Sequence, residues 1–209
     1  MRDTSWWGAP VGRGRLAVVA VHGRDQDPET MRDVAERAGY ADAASPITWL
    51  APAASGRTWY PKRFTDPRAE NEPDLTAALA TVEDALAELA TCGFPSDRVV
   101  LLGFSQGACL LADVLVRTPR RFAAAALLTG GYIGPPGFRP EVAGGLAGVP
   151  VLLATSSVDS WVPLKRVQET AEVLAGAGAH VDLRVDDDPV HQVNDATVGA
   201  VRALLADRL

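Results

Sequence analysis

The sequence is short of cysteine, lysine and long apolar runs. Its two cysteines, Cys92 and Cys109, form no C-x-x-C pair and belong to no His/Cys cluster. That speaks against a zinc site, a redox motif or a disulfide scaffold, and a reducing cytoplasmic setting is the simplest one. Lysine occurs only at 62 and 165, against 18 arginines and 35 alanines, a skew that fits genome composition better than function. The net charge is −6 and there is no basic stripe, so no nucleic-acid partner is expected. The longest uninterrupted apolar run, Phe122 to Leu128, falls far short of the roughly 20 residues that cross a bilayer. The opening Met-Arg-Asp-Thr-Ser-Trp-Trp lacks the apolar stretch of a secretory signal, and no membrane insertion is expected.

What is present belongs to an ordinary globule. Of 209 residues, 47% are hydrophobic and 22% charged, which suits one domain spanning 1–209 with a sizeable core. Leu16 to Val21, Val99 to Leu102 and Phe122 to Leu128 are continuous apolar runs, Val149 to Ala154 is another apolar segment, and Ile47 to Ala51 is a short one closed by Pro52. Strands covered on both faces lose their alternation, so these are expected to be buried strands. Val181 to Val185 alternates and is expected to be a half-covered strand. Helices are expected over Asp74–Ala90 with Asp74 as N-cap, from the 103–107 turn to before Pro119, over Leu164–Leu174 and over about Asn194–Leu205. Gly130 to Gly148 is the longest irregular stretch. Strands alternating with helices predict an α/β fold with a mostly parallel sheet and helices on both faces. In such sheets the site lies at the carboxyl ends of the strands.

Gly103-Phe104-Ser105-Gln106-Gly107 fits G-x-S-x-G and sits directly between a buried strand and a helix. A serine on that sharp turn points its hydroxyl away from both elements, and the helix N-terminus favours developing negative charge. A serine hydroxyl needs a base. Of the three histidines, His180 and His191 follow Ser105, and only His191 sits at a strand's carboxyl end. The acid is expected after the preceding strand, at Asp159; Asp186, Asp187 and Asp188 compete but suit a solvated acidic turn. One oxyanion donor is expected from the Gln106 N–H. The other is expected from the loop His22-Gly23-Arg24-Asp25, which His22 would pin by hydrogen bonding.

These residues resemble the phospholipase/carboxylesterase family of compact α/β-hydrolases, which includes acyl-protein thioesterases and small bacterial esterases. The resemblance covers nearly the whole chain. It rests on His22-Gly23, Trp59-Tyr60, Arg68 with Asn71-Glu72-Pro73, the Gly-Phe-Ser-Gln-Gly turn, Asp159 with Val162-Pro163, and His191. It implies a Ser105–Asp159–His191 triad and an oxyanion hole from the N–H groups of Arg24 and Gln106. It also implies an α/β-hydrolase domain without a large lid, hydrolysis of carboxylic esters or thioesters without a metal or other cofactor, and, as in several members, a homodimer. Two positions depart from the family pattern. Asp25 stands at the second glycine of H-G-x-G, and the approach to His191 is Asp187-Asp188-Pro189-Val190 rather than a glycine.

Trp59, Tyr60, Phe64, Phe104 and Trp161 are assigned to a substrate pocket, since aromatic walls suit small acyl or aryl groups. For each, core packing is the competing role. Arg24, Arg57 and Arg68 could meet an anionic group, although solvated surface suits Arg57 better. The expected partner is a small-molecule ester or thioester. Two other classes stay open: a catalytically decayed ligand-binding relative, and an acyltransferase using the same triad.

Overall fold

The structure, a computed structural model, describes residues 4–209. Seven strands form one sheet: β1 (Thr4–Gly8), β2 (Leu16–Val21), β3 (Ile47–Pro52), β4 (Val99–Phe104), β5 (Ala124–Leu128), β6 (Pro150–Ser156) and β7 (His180–Asp186). Their order is β1-β3-β2-β4-β5-β6-β7. Strands β2 to β7 run parallel, and β1 alone is antiparallel, on the edge against β3.

Among the described residues, five α-helices cover the sheet. On one face α2 (Asp74–Thr91), α3 (Gln106–Arg117) and α4 (Leu164–Gly176) pack on Val19, Leu101, Leu127 and Leu153. On the other, α1 (Pro28–Ala38) and α5 (Asp195–Ala206) pack on Val18, Trp49, Leu102 and Leu152. Successive strand residues thus point into two different cores. That is why β2, β3, β4 and β5 are buried throughout and apolar but for Thr48 in β3, whose hydroxyl donates to Ala9 O. Each fully buried Val or Leu contributes roughly 1.5–3 kcal/mol, so this double cover dominates stability. Edge strand β7 has only Val181 and Leu183 against a core, and it keeps the alternation seen in sequence.

Two elements escape the hydrophobic pattern. Strand β1 has one buried residue, Trp7, which stacks on Trp49 with centroids 5.9 Å apart. Helix α1 buries Met31, Val34, Ala35 and Ala38 beneath a charged face. Its signals are punctuation. Asp27 caps the Glu29 N–H, Pro28 opens the helix, and Gly39 closes it at φ 82°. Asp74, expected as the α2 N-cap, is the first helical residue, and Pro73 occupies the cap position with no side-chain bond.

The stretch from Gly130 to Gly148 carries no helix or strand but is well anchored. The buried Arg166 guanidinium donates to the carbonyls of Tyr132, Gly134 and Pro135. No helix among the described residues is long and apolar enough to cross a membrane.

Candidate active site

Ser105 lies between the end of β4 and the start of α3, with φ 52° and ψ −117°. That conformation is strained for a residue with a Cβ, and its surroundings must impose it. They do so through close packing. The Ser105 N–H donates to Leu128 O at 2.9 Å, across to β5. A Cβ at Gly103 would come within 2.8 Å of the Ala108 nitrogen, and one at Gly107 would collide with the Val21 carbonyl. Both flanking glycines are therefore required by the turn's contacts.

The sheet order brings the other two residues to this turn. Asp159 follows β6 and His191 follows β7, both at carboxyl ends. His191 Nε2 is 2.8 Å from Ser105 Oγ, and His191 Nδ1 is 2.6 Å from Asp159 Oδ2. Asp159 Oδ1 accepts from the N–H groups of Trp161 and Val162 at 2.7 and 2.8 Å. Burial pushes the Asp159 carboxyl up, but hydrogen bonds from His191 and the two amides outweigh it and hold the group below its ordinary value. The His191 ring lies 5.0 Å from Phe104 on one side and 6.4 Å from Trp161 on another.

The competing acids are turned to other work. Asp186 accepts from the Asp188 N–H and from Asn194 Nδ2, and Asp188 accepts from the Val190 N–H and from Gln192. They build the Asp187–Val190 approach that presents His191 in place of the family's glycine.

The loop after β2 packs on Ser105. A Cβ at Gly23 would sit 3.2 Å from that of Ser105. His22 is buried, lies 2.7 Å through Nδ1 from Gly23 O, and accepts the Ala54 N–H at Nε2 at 3.1 Å. Since Nε2 must accept, Nδ1 carries the proton and the ring is neutral. Burial, the larger influence, lowers the His22 pKa despite the Gly23 carbonyl. Asp25 has φ 60°, so the second-glycine position does need left-handed backbone, which Asp tolerates better than most residues. Its N–H donates to Arg57 O at 2.8 Å. Arg24 and Gln106 both border the cavity beside Ser105, and the Gln106 N–H, in the first turn of α3, has no intrahelical acceptor.

The cavity over Ser105 measures about 600 Å³. Tyr60, Phe64 and Trp161 line it, and Trp161 is 64% exposed. Trp59 and Phe104, assigned to the pocket from sequence, do not border it. Trp59 is buried behind the His22–Asp25 loop, donating Nε1–H to His22 O at 2.8 Å, while its N–H is held by Gln106 Oε1. Phe104 is a strand-end side chain beneath His191. The reasons differ: the Gln106 side chain ties the Trp59–Tyr60 segment inward, donating to Tyr60 O at 2.7 Å, whereas Phe104 packs into the core beneath α1 and α5.

Of the arginines weighed for an anion, Arg68 pairs with buried Asp113 at 2.8 Å and Arg57 with Asp27 at 3.1 Å. Only Arg24 borders the cavity, joined by Lys62 and Arg63, which the sequence pattern did not single out. Cys109 also lies on the lining, but burial pushes its thiol up to about 12, which keeps it protonated and unreactive. No group of three or more His, Cys, Asp or Glu side chains among the described residues is arranged to hold a metal ion.

A mostly parallel sheet with a strand–serine–helix elbow at its carboxyl edge defines an α/β-hydrolase. The phospholipase/carboxylesterase family model matches residues 43–207, and the chain belongs to that family. Among solved structures, a phospholipase/carboxylesterase from Dyadobacter fermentans DSM 18053 is 30% identical, with 98% of this chain and 97% of that one covered and a TM-score of 0.90. Esterase PE8 is 22% identical over 100% and 99% of the two chains, with a TM-score of 0.83. The Bacillus cereus carboxylesterase is 20% identical over 100% and 95%, with a TM-score of 0.78. The last two share the fold. No curated protein matches the chain.

Proposed function

We propose that the chain is a serine hydrolase that cleaves carboxylic esters or thioesters of small acyl or aryl groups through an acyl-enzyme. The observation that carries this is the unbroken hydrogen-bonded line from Ser105 Oγ through His191 to Asp159 at the floor of a 600 Å³ cavity.

The proposed chemistry follows from the geometry. Ser105 Oγ attacks the acyl carbon while His191 Nε2 takes its proton. The carbonyl oxygen becomes an oxyanion facing the N–H groups of Arg24 and Gln106, worth roughly 3–4 kcal/mol per donor in comparable sites. Asp159 stabilises the imidazolium and, through its two backbone amides, stays ionised to do so. His191 then gives its proton to the departing alcohol or thiol, leaving Ser105 acylated. Water repeats the sequence with His191 as base, releasing the acid and free Ser105.

The cavity volume lies in the usual range for small-ligand sites. A decayed binding protein would have no need of a strained serine aligned on an imidazole, and the left-handed Asp25 is the backbone that the second-glycine position of the oxyanion loop calls for. The test is a panel of p-nitrophenyl esters and acyl-CoA thioesters of graded length. Turnover that is lost on serine-directed labelling supports the proposal. Folded protein that turns over none of them would overturn it.

A further inference from the structure

The cavity that His191 and Trp161 border is also lined by the segment Tyr60 to Phe64, whose backbone is held at every residue. Tyr60 O accepts from Gln106 Nε2 at 2.7 Å and from the Arg24 guanidinium at 2.9 Å. The same guanidinium reaches Pro61 O at 3.2 Å and Lys62 O at 2.8 Å. Fully buried Asn71 accepts the Lys62 N–H at 2.8 Å and donates to Arg63 O at 3.1 Å. Phe64 O accepts from the Gly134 N–H at 2.9 Å.

What this segment offers the cavity is positive charge. Arg24, Lys62 and Arg63 all border it. Carbonyl partners do not cancel the Arg24 charge, and the Lys62 ammonium and Arg63 guanidinium make no ion pair among the described residues. Two carboxylates share the lining. Asp66 is turned to the Arg63 N–H at 3.0 Å, and Asp25 lies 3.4 Å from the Thr58 hydroxyl. Three cations against two carboxylates leave the lining net positive, in a chain whose overall charge is −6. One of only two lysines in the sequence stands on this rim. The backbone that carries these charged heads is pre-organised, so on binding only the side chains remain to be ordered.

We infer that this site selects esters carrying a carboxylate on the acyl or alcohol part, with Lys62 and Arg63 as the specificity-determining residues. The inference rests on the proposed hydrolase for its reaction but not for its recognition. The head groups are exposed, so each pair is worth up to about fivefold in affinity, and more where the closing substrate displaces water.

Two isosteric pairs test it: monomethyl succinate against methyl succinamate, and acetoxyacetate against acetoxyacetamide. Turnover is measured on wild type and a Lys62→Gln/Arg63→Gln variant, and binding of each compound to the Ser105→Ala protein by NMR titration. At low salt, wild type should favour the carboxylate member of at least one pair by about fivefold to tenfold. That ratio should collapse toward one in the double variant, invert with Lys62→Glu, and shrink as ionic strength rises. Equal handling of both members by wild type, or a preference that survives the double variant, would overturn the inference. Selective binding without turnover would uphold it while counting against the hydrolase; turnover without selectivity would do the reverse.

Discussion

His191 Nδ1 and Asp159 Oδ2 lie 2.6 Å apart across 32 residues of sequence, while the other Asp159 oxygen is gripped by the Trp161 and Val162 amides. One carboxylate thus orients the imidazole and is itself locked by a two-residue turn. Asp186 and Asp188 are closer to His191 in sequence, yet their oxygens are committed to their own loop.

This separates the acids in a mutational test. Asp159→Asn should lower kcat by on the order of 10³–10⁴-fold, because the amide can leave His191 in the wrong tautomer. Asp186→Asn and Asp188→Asn should lose far less, through loop disorder. Kinetics of the three purified variants decide it. A near-wild-type Asp159→Asn beside a collapsed Asp186 or Asp188 variant would reassign the acid.

His22 makes stability depend on pH. Its ring is neutral in the folded chain, and burial puts its pKa below the ordinary 6.5. Between the folded value and 6.5 the unfolded chain binds the extra proton, so stability rises with pH there. The contribution is therefore fully present above 6.5 and is lost as pH falls through that window. Thermal melts from about pH 5 to 8 should show a slope that His22→Asn flattens. An unchanged slope in the variant would show that His22 does not carry the effect.

Acyl-chain preference should be short. An open channel would gain ~0.8 kcal/mol, or about fourfold in kcat/KM, for each added CH₂. Tyr60 and Trp161 stand on the cavity wall and should stop that climb at short chains. Trp161→Ala, which removes an exposed indole rather than a core side chain, should extend it. A wild-type profile still rising past medium-chain esters would point to a lipid or acyl-protein substrate.

Activity is also expected to survive EDTA and dialysis. The nucleophile, base, acid and oxyanion donors proposed above are all groups of the chain itself. Loss of turnover on chelation, restored by a specific metal, would contradict this.

The parallel core was legible because covering both faces turns strands into unbroken apolar runs, as in Leu16–Val21. Ser105 was legible because its motif is local and its strand and helix flank it directly. His191 and Asp159 needed the order of elements along the chain, which the sheet then converted into contact. Helix α1 was hidden because, besides its opening Pro28, only Met31, Val34, Ala35 and Ala38 are buried. Its caps, Asp27-Pro28 and Gly39, were the available signal. Lys62 and Arg63 were hidden for a different reason. They lie on irregular backbone whose path is set by Arg24, Asn71, Gln106 and Gly134, and no local pattern encodes such distant hydrogen bonds. Trp59 was misplaced by the same network, which turns it inward onto His22 O.

The central claim is that Ser105 is the nucleophile, and a serine-directed fluorophosphonate tests it most directly. Mass spectrometry of the labelled protein should find one adduct, on Ser105, with esterase activity lost in step. Ser105→Ala should stay folded, take no label, and lose on the order of 10⁴-fold or more in kcat. Folded wild-type protein whose Ser105 remains unlabelled, or a Ser105→Ala variant that still turns over esters at the wild-type rate, would contradict the account.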